Sequence, residues 1–347
     1  MVYSIEQVFD CTDGGEAMTA FEQELRAKLR ATGLTTRVVD AAWPAWWSED
    51  AEESASAVAE LKFALARQLG MAPSSLLSGE SPQFIWYDET KYKNLGTTTD
   101  LEASVLASFS ISVSRDALAA TPPSMSRLSG DPSAVRQTLL EHSESIGLPE
   151  VLGLCWRHGI PVLQLRVFPL QHKRMHAVAA RVGDRHAVLV GHESRFQAQV
   201  AFWVAHELGH IARGDVRDAA ALMDVEDPLR VPTKDDEEEG ADSWALELLT
   251  GHPDRVVESA TDGYTASDLA AAVRKQSSVF RVDPGVLALC LGHNDSTWAQ
   301  VMGALKILGE VDVGGFINQT AATQLLWSEL SLDSQAFLRT ILDAADD

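Results

Sequence analysis

The residues best placed to do chemistry in this sequence are His206-Glu207-Leu208-Gly209-His210, an HExxH pattern. On an α-helix, at about 100° per residue, His206 and His210 fall only about 40° apart, so both imidazoles can reach a single ion. Glu207 falls about 60° from His210. A carboxylate there can take a proton from water polarised by the ion and hand it to a leaving amine. Ala201, Val204, Leu208 and Ile211 form an apolar stripe on the opposite side, which gives this helix a core face and a metal face. The bland alternative is a surface helix carrying two solvated histidines.

A catalytic zinc site usually needs three protein ligands and one open position. The third is sought downstream, in Glu237-Glu238-Glu239-Gly240-Ala241-Asp242-Ser243-Trp244-Ala245-Leu246-Glu247-Leu248-Leu249, whose spacing predicts a helix with Ala241, Ala245, Leu248 and Leu249 facing inward. Glu238 is assigned as the ligand because the small residues Ala241 and Ala245 let this helix approach the metal helix closely. Asp242, one turn on, is then placed to accept a hydrogen bond from the free nitrogen of a ligating histidine and fix its tautomer. Asp235, Asp236, Glu237 and Glu239 read instead as a solvated acidic helix start favoured by the macrodipole.

These segments need elements to hold them. Helical spacing is predicted over 17–33, 50–69, 100–120, 134–145, 149–157, 194–213, closed by Gly214, and 235–250. Further helical stretches lie near 265–277, 297–308 and 320–343, with Asp283-Pro284-Gly285 as a turn. Residues 160–167, 177–182 and 186–190 have β-rich composition, the last two joined by Gly183-Asp184-Arg185. Trp43-Pro44-Ala45-Trp46-Trp47 reads as an aromatic turn packed beneath helices. The Pro- and Ser-rich stretch 121–133 is the best place for a domain boundary.

The chain has 347 residues, with 28 basic and 50 acidic ones and a formal charge of -22. That balance repels phosphate backbones and anionic lipid, so direct nucleic-acid binding is disfavoured. Cys11, Cys155 and Cys290 are scattered and form no CxxC pair, which argues against a disulfide framework or a thiolate zinc site and fits a reducing cytoplasm. No leader pattern and no apolar run near the ~20 residues of a membrane span is seen.

The run Phe202-Trp203-Val204-Ala205-His206-Glu207-Leu208-Gly209-His210-Ile211, followed by Glu238, Ala241-Asp242, Trp244-Ala245 and Leu248-Leu249, resembles the ImmA/IrrE family of metallo-endopeptidases. Cys155-Trp156, Gly159-Ile160-Pro161-Val162 and the β segments before the metal helix extend the likeness over roughly residues 134–308. It implies an α+β fold with a zincin-like core: a small mixed sheet, an HExxH helix, one Zn2+ (or Mn2+) per chain on His206, His210 and Glu238, and Glu207 as general base. It further implies an intracellular, cytoplasmic enzyme that cleaves a partner regulatory protein, typically a helix-turn-helix repressor. The chain departs from the family where Thr250-Gly251 replaces the frequent Met-Pro, and in its long, acid-rich 215–239 loop, which is placed to gate the cleft.

The expected organisation is a helical N-terminal domain over 1–130, with partner-binding or degenerate helix-turn-helix character, a metallopeptidase domain over 131–310 and a helical C-terminal extension over 311–347. Two other readings stay open. One is a non-catalytic regulatory binding protein on the same fold, and the other a DNA-binding regulator acting through residues 57–95. An oxyanion-stabilising histidine is sought among His158, His172, His176, His186 and His192.

Overall fold

The structure is a computed structural model, describing residues 18–85, 90–93, 100–124, 126–171, 175–216, 221–225, 236–254, 257, 263–295 and 297–343. The first half comprises α1 (Ala20–Ala31), α2 (Thr36–Ala41), α3 (Glu49–Glu52), α4 (Ala55–Leu69), α5 (Pro73–Ser78), β1 (Thr90–Lys93), α6 (Asp100–Ala119), α7 (Pro132–Leu140) and α8 (Leu148–Arg157). Then follow β2 (Val162–Gln164), β3 (Met175–Val182), β4 (Arg185–Val190), α9 (Gln197–Arg213), β5 (Ala221–Val225) and α10 (Asp236–Thr250). The chain ends with α11 (Ala266–Phe280), α12 (Pro284–Asp295), α13 (Trp298–Leu308), α14 (Val313–Gln324) and α15 (Leu332–Leu342). The fold is therefore mostly helical with a mixed sheet, an α+β arrangement.

The sheet runs in the order β1-β5-β3-β4-β2. β3 and β4 form an antiparallel hairpin whose register closes at Val182 opposite Arg185. Its loop is therefore Gly183-Asp184, with Gly183 at φ 65°, a left-handed value that glycine adopts at low cost. β2 pairs parallel to β4, β5 antiparallel to β3, and β1 parallel to β5. The β1 and β5 pairings were not anticipated. β5 lies inside the acid-rich 215–239 loop, of which 217–220 and 226–235 fall outside the described residues, so the gating expectation does too.

Alternation along the strands splits the interior into two cores. Val162, Ala177, Val188 and Val190 face one that contains α7 to α13 and the start of α14. Leu163, Val178, Ala180 and Leu189 face the other, built with α1, α2, α4, α6 and α15. The packing thus divides at the sheet and not at residues 130 and 310. The N-terminal helices and the last helix share one core against the back of the sheet.

Two of the expected element boundaries shift for local reasons. Asp283-Pro284-Gly285 starts α12 rather than forming a free turn, because Asp283 Oδ1 accepts from the backbone N–H of Gly285 (2.8 Å) and Val286 (3.1 Å), with proline at the first helical position. The expected helix 320–343 is two helices, α14 and α15, with a break at 325–331. In the segment weighed for DNA binding, Leu61, Leu65 and Leu69 of α4 are buried. A Cβ on Gly70 would strike the Ser108 carbonyl oxygen of α6. α5 spans six residues, with Ser75 and Leu76 buried. These residues pack the second core. The aromatic turn packs as expected: Trp47 meets Phe21 at 5.8 Å between ring centroids, and the Arg26 guanidinium sits 3.8 Å above Trp43.

Candidate metal centre

α9 forms because its apolar residues recur at helical spacing, and Ala201, Val204, Ala205 and Leu208 are fully buried against the sheet and α8. It stops at Gly214, whose φ of 84° allows its N–H to return to the carbonyls of His210 and Ile211. α10 buries Ala241, Ala245, Leu248 and Leu249, the face read from the sequence.

The two helices approach most closely at Gly209. A Cβ there would lie 2.9 Å from the Ala241 carbonyl oxygen and 3.0 Å from its Cα, so glycine in one helix and alanine in the other set their separation. Arg136 holds the far ends of α10 and α11. Its guanidinium donates to the carbonyls of Leu248 (2.9 Å), Leu249 (2.8 Å) and Arg281 (2.7 Å), placing a cation where both helix dipoles are negative.

This packing brings Glu238, on the first turn of α10, up to the histidines. Glu238 Oε2 lies 3.1 Å from His206 Nε2 and Oε1 lies 3.4 Å from His210 Nε2. The two Nε2 atoms are 3.0 Å apart. A tetrahedral ion with ligands at about 2.0–2.1 Å has donor–donor edges of about 3.3–3.4 Å, close to this triangle. His206, His210 and Glu238 could therefore hold a metal ion, as the sequence assigned them.

The far nitrogens of both rings are also fixed. Asp242 Oδ1 accepts from His206 Nδ1 at 2.9 Å, as expected, and Asp215 Oδ2 accepts from His210 Nδ1 at 3.1 Å. Each carboxylate requires the proton on Nδ1, which leaves the Nε2 lone pair for the shared centre. Two lone pairs facing at that distance need a proton or a cation between them.

Burial alone would push the His206 imidazole down, but hydrogen bonds to Asp242 and Glu238 and the charges of Glu207 and Glu238 raise it to about 10. For Glu238, burial acts upward, yet the hydrogen bonds and charges of the two histidines hold it well below the usual carboxylate range. Both shifts describe a pocket that attracts positive charge.

Glu207 is 3% exposed, on the same turn as His206. Asp215 was not singled out in the sequence. Its signal is the left-handed glycine just before it, which folds the chain back so that Asp215 lies over the last turn of α9. Arg213 supports it by donating to Asp215 Oδ2 at 3.2 Å, and the Arg213 guanidinium crosses Gly240 so closely that any Cβ there would overlap it.

No family model matches the chain, and no curated protein or solved structure matches it either.

Of the five histidines weighed as oxyanion donors, His176 stacks on Trp203 of α9 at 4.7 Å between centroids, and His192 meets the same indole edge-on at 5.6 Å. His158 Nδ1 bonds the Leu154 carbonyl, and burial lowers His186 to about 4. His172 lies outside the described residues. The β2 edge of the sheet is closed at Gln164, where the Asn318 amide accepts from its backbone N–H and donates to its carbonyl, both at 2.9 Å. Cys155 and Cys290 are buried, and burial pushes the Cys155 thiol up. Cys11 lies outside the described residues. Among the described residues, no helix is long and apolar enough to cross a membrane.

Proposed function

We propose that this chain is a zinc-dependent endopeptidase with a zincin-like core of the ImmA/IrrE kind, cutting a partner regulatory protein in the cytoplasm. The observation that carries this reading is the convergence of His206 Nε2, His210 Nε2 and Glu238 within hydrogen-bonding distance of one another, from two helices, with Glu207 buried on the same turn. Zinc at such a centre supplies a Lewis acid for the scissile carbonyl and lowers the pKa of water; manganese is the second ion to test.

The chain's own groups do the remaining work. Asp242 and Asp215 hold the two imidazoles in one tautomer and orientation. Glu207 takes the proton of the attacking water and delivers it to the leaving amine. The resemblance to ImmA/IrrE proteins makes a helix-turn-helix repressor the expected substrate.

The test is mass spectrometry of new N-termini in a proteome incubated with zinc-loaded chain. Wild type is expected to generate a small set of them, and Glu207→Gln, with zinc retained, none. Wild type with zinc bound but no cleavage points to a regulatory binding protein instead. Full cleavage by Glu207→Gln removes Glu207 from its assigned role.

A further inference from the structure

We infer that the cleft between α9, α10, α12 and α13 seats one large apolar side chain of the substrate, next to the bond that is cut. This rests on the reading of the neighbouring centre as a peptide hydrolase. The cleft has a volume of about 230 Å³ and is walled by Phe202, Trp203, Leu246, Leu289 and Trp298, with Asp242 as its one acidic residue. Most sites for whole small molecules occupy roughly 300–1,000 Å³, so this one has the size for a single side chain such as phenylalanine or leucine.

Its position argues for a substrate side chain. Asp242 lines the cleft and, with the same carboxylate, holds His206 Nδ1 at 2.9 Å. Phe202 lines it as well, and its ring lies 6.3 Å between centroids from that of His206. Phe202 lies one helical turn before His206 on α9 and Asp242 one turn after Glu238 on α10, so a peptide laid across the centre passes an apolar recess one turn along both helices.

An acidic side chain entering the recess would lose its water and face the Asp242 carboxylate, whereas a basic one would meet that carboxylate as a partner, so the discrimination falls on Asp and Glu. An aromatic or branched aliphatic one gains burial. The enzyme would then cut beside Phe, Leu or Met in preference to Ala and against Asp or Glu. Residues far downstream of the HExxH helix set that preference, since α12 and α13 supply Leu289 and Trp298.

The test titrates the zinc-loaded full chain with a series of hydroxamates, which grip the metal and carry methyl, isobutyl or benzyl groups, and follows binding by calorimetry. Isobutyl and benzyl compounds are expected to bind about 10- to 100-fold more tightly than methyl, the gain for burying one large apolar side chain. Leu289→Trp, at a partly buried position, fills the recess and is expected to erase that difference while zinc content stays at one per chain. Trp298→Ala, at a residue 40% exposed, removes a wall without burying new bulk and is expected to cut the benzyl advantage several-fold. A flat series on zinc-loaded wild type overturns the recess and leaves the centre standing. Failure of every hydroxamate to bind, or absence of zinc, overturns the centre and the recess with it.

Discussion

Replacing Gly209 with alanine tests whether close helix packing builds the centre. The added methyl would sit 2.9 Å from the Ala241 carbonyl oxygen, 3.0 Å from Ala241 Cα and 3.3 Å from Trp244 Cβ, all within α10. Relaxed carbon contacts lie at about 3.5–4.0 Å, so α10 must withdraw by about 0.5–1 Å. Overpacking of this kind costs about 1–3 kcal/mol. Glu238 lies three residues before Ala241 and moves with it, so its distances of 3.1 and 3.4 Å to the histidine nitrogens open toward about 4 Å, beyond the edges of a tetrahedral site. A loss of about 10- to 100-fold in zinc affinity is expected. Urea unfolding of chelator-treated protein reads the first effect, and zinc competition against a chromophoric chelator the second. Gly153→Ala is the control: it lies within α8 with nothing within 4 Å of the new Cβ, and is expected to stabilise by about 0.5–1 kcal/mol with zinc affinity unchanged. If Gly209→Ala matches wild type in both assays, the account of the helix contact is wrong.

The carboxylates behind the histidines are expected to matter about equally: Asp215→Ala and Asp242→Ala should each weaken zinc binding about 10- to 100-fold, and unchanged affinity in either removes it from the site. Arg136→Met leaves the carbonyls at the ends of α10 and α11 without their donor and is expected to cost about 3 kcal/mol in urea unfolding, while a loss below ~1 kcal/mol would show the cation is dispensable. In metal-free protein, His206 is raised from 6.5 to about 10, so its stabilisation is complete below about pH 6.5 and fades as the pH rises through about 10. Unfolding free energy should therefore decline across that window in wild type and less so in Glu238→Gln, and equal slopes would contradict the assignment.

Much of the centre was legible because its geometry follows helical periodicity. His206 and His210 share a face by spacing alone, and Ala241 and Ala245 marked the helix surface able to come close, which pointed to Glu238 as a donor beside the histidines and to Asp242 as a hydrogen-bond partner for one of them. Asp215 was missed because it lies past a helix end, where reach is set by the left-handed turn at Gly214 and not by a repeat. The strands at 90–93 and 221–225 were missed for a related reason. They are short segments of polar or acidic surroundings whose pairing is decided by each other and by β3, not by local pattern. The Asp283-Pro284-Gly285 sequence suits a turn and a helix start equally well, and only the hydrogen bonds of Asp283 to the next residues distinguish them. The division of the chain by linker composition at 130 did not foresee that α6 and α15 meet in one core behind the sheet, a contact between residues such as Phe109 and Phe337 at 6.4 Å between centroids.

Zinc content and affinity of the full chain, measured by elemental mass spectrometry and chelator competition beside His206→Ala and Glu238→Ala, test the convergence of these donors most directly. One tightly held zinc per wild-type chain is expected, with affinity collapsing in both variants. Zinc absent from wild type, or retained at full affinity after loss of Glu238, would contradict it.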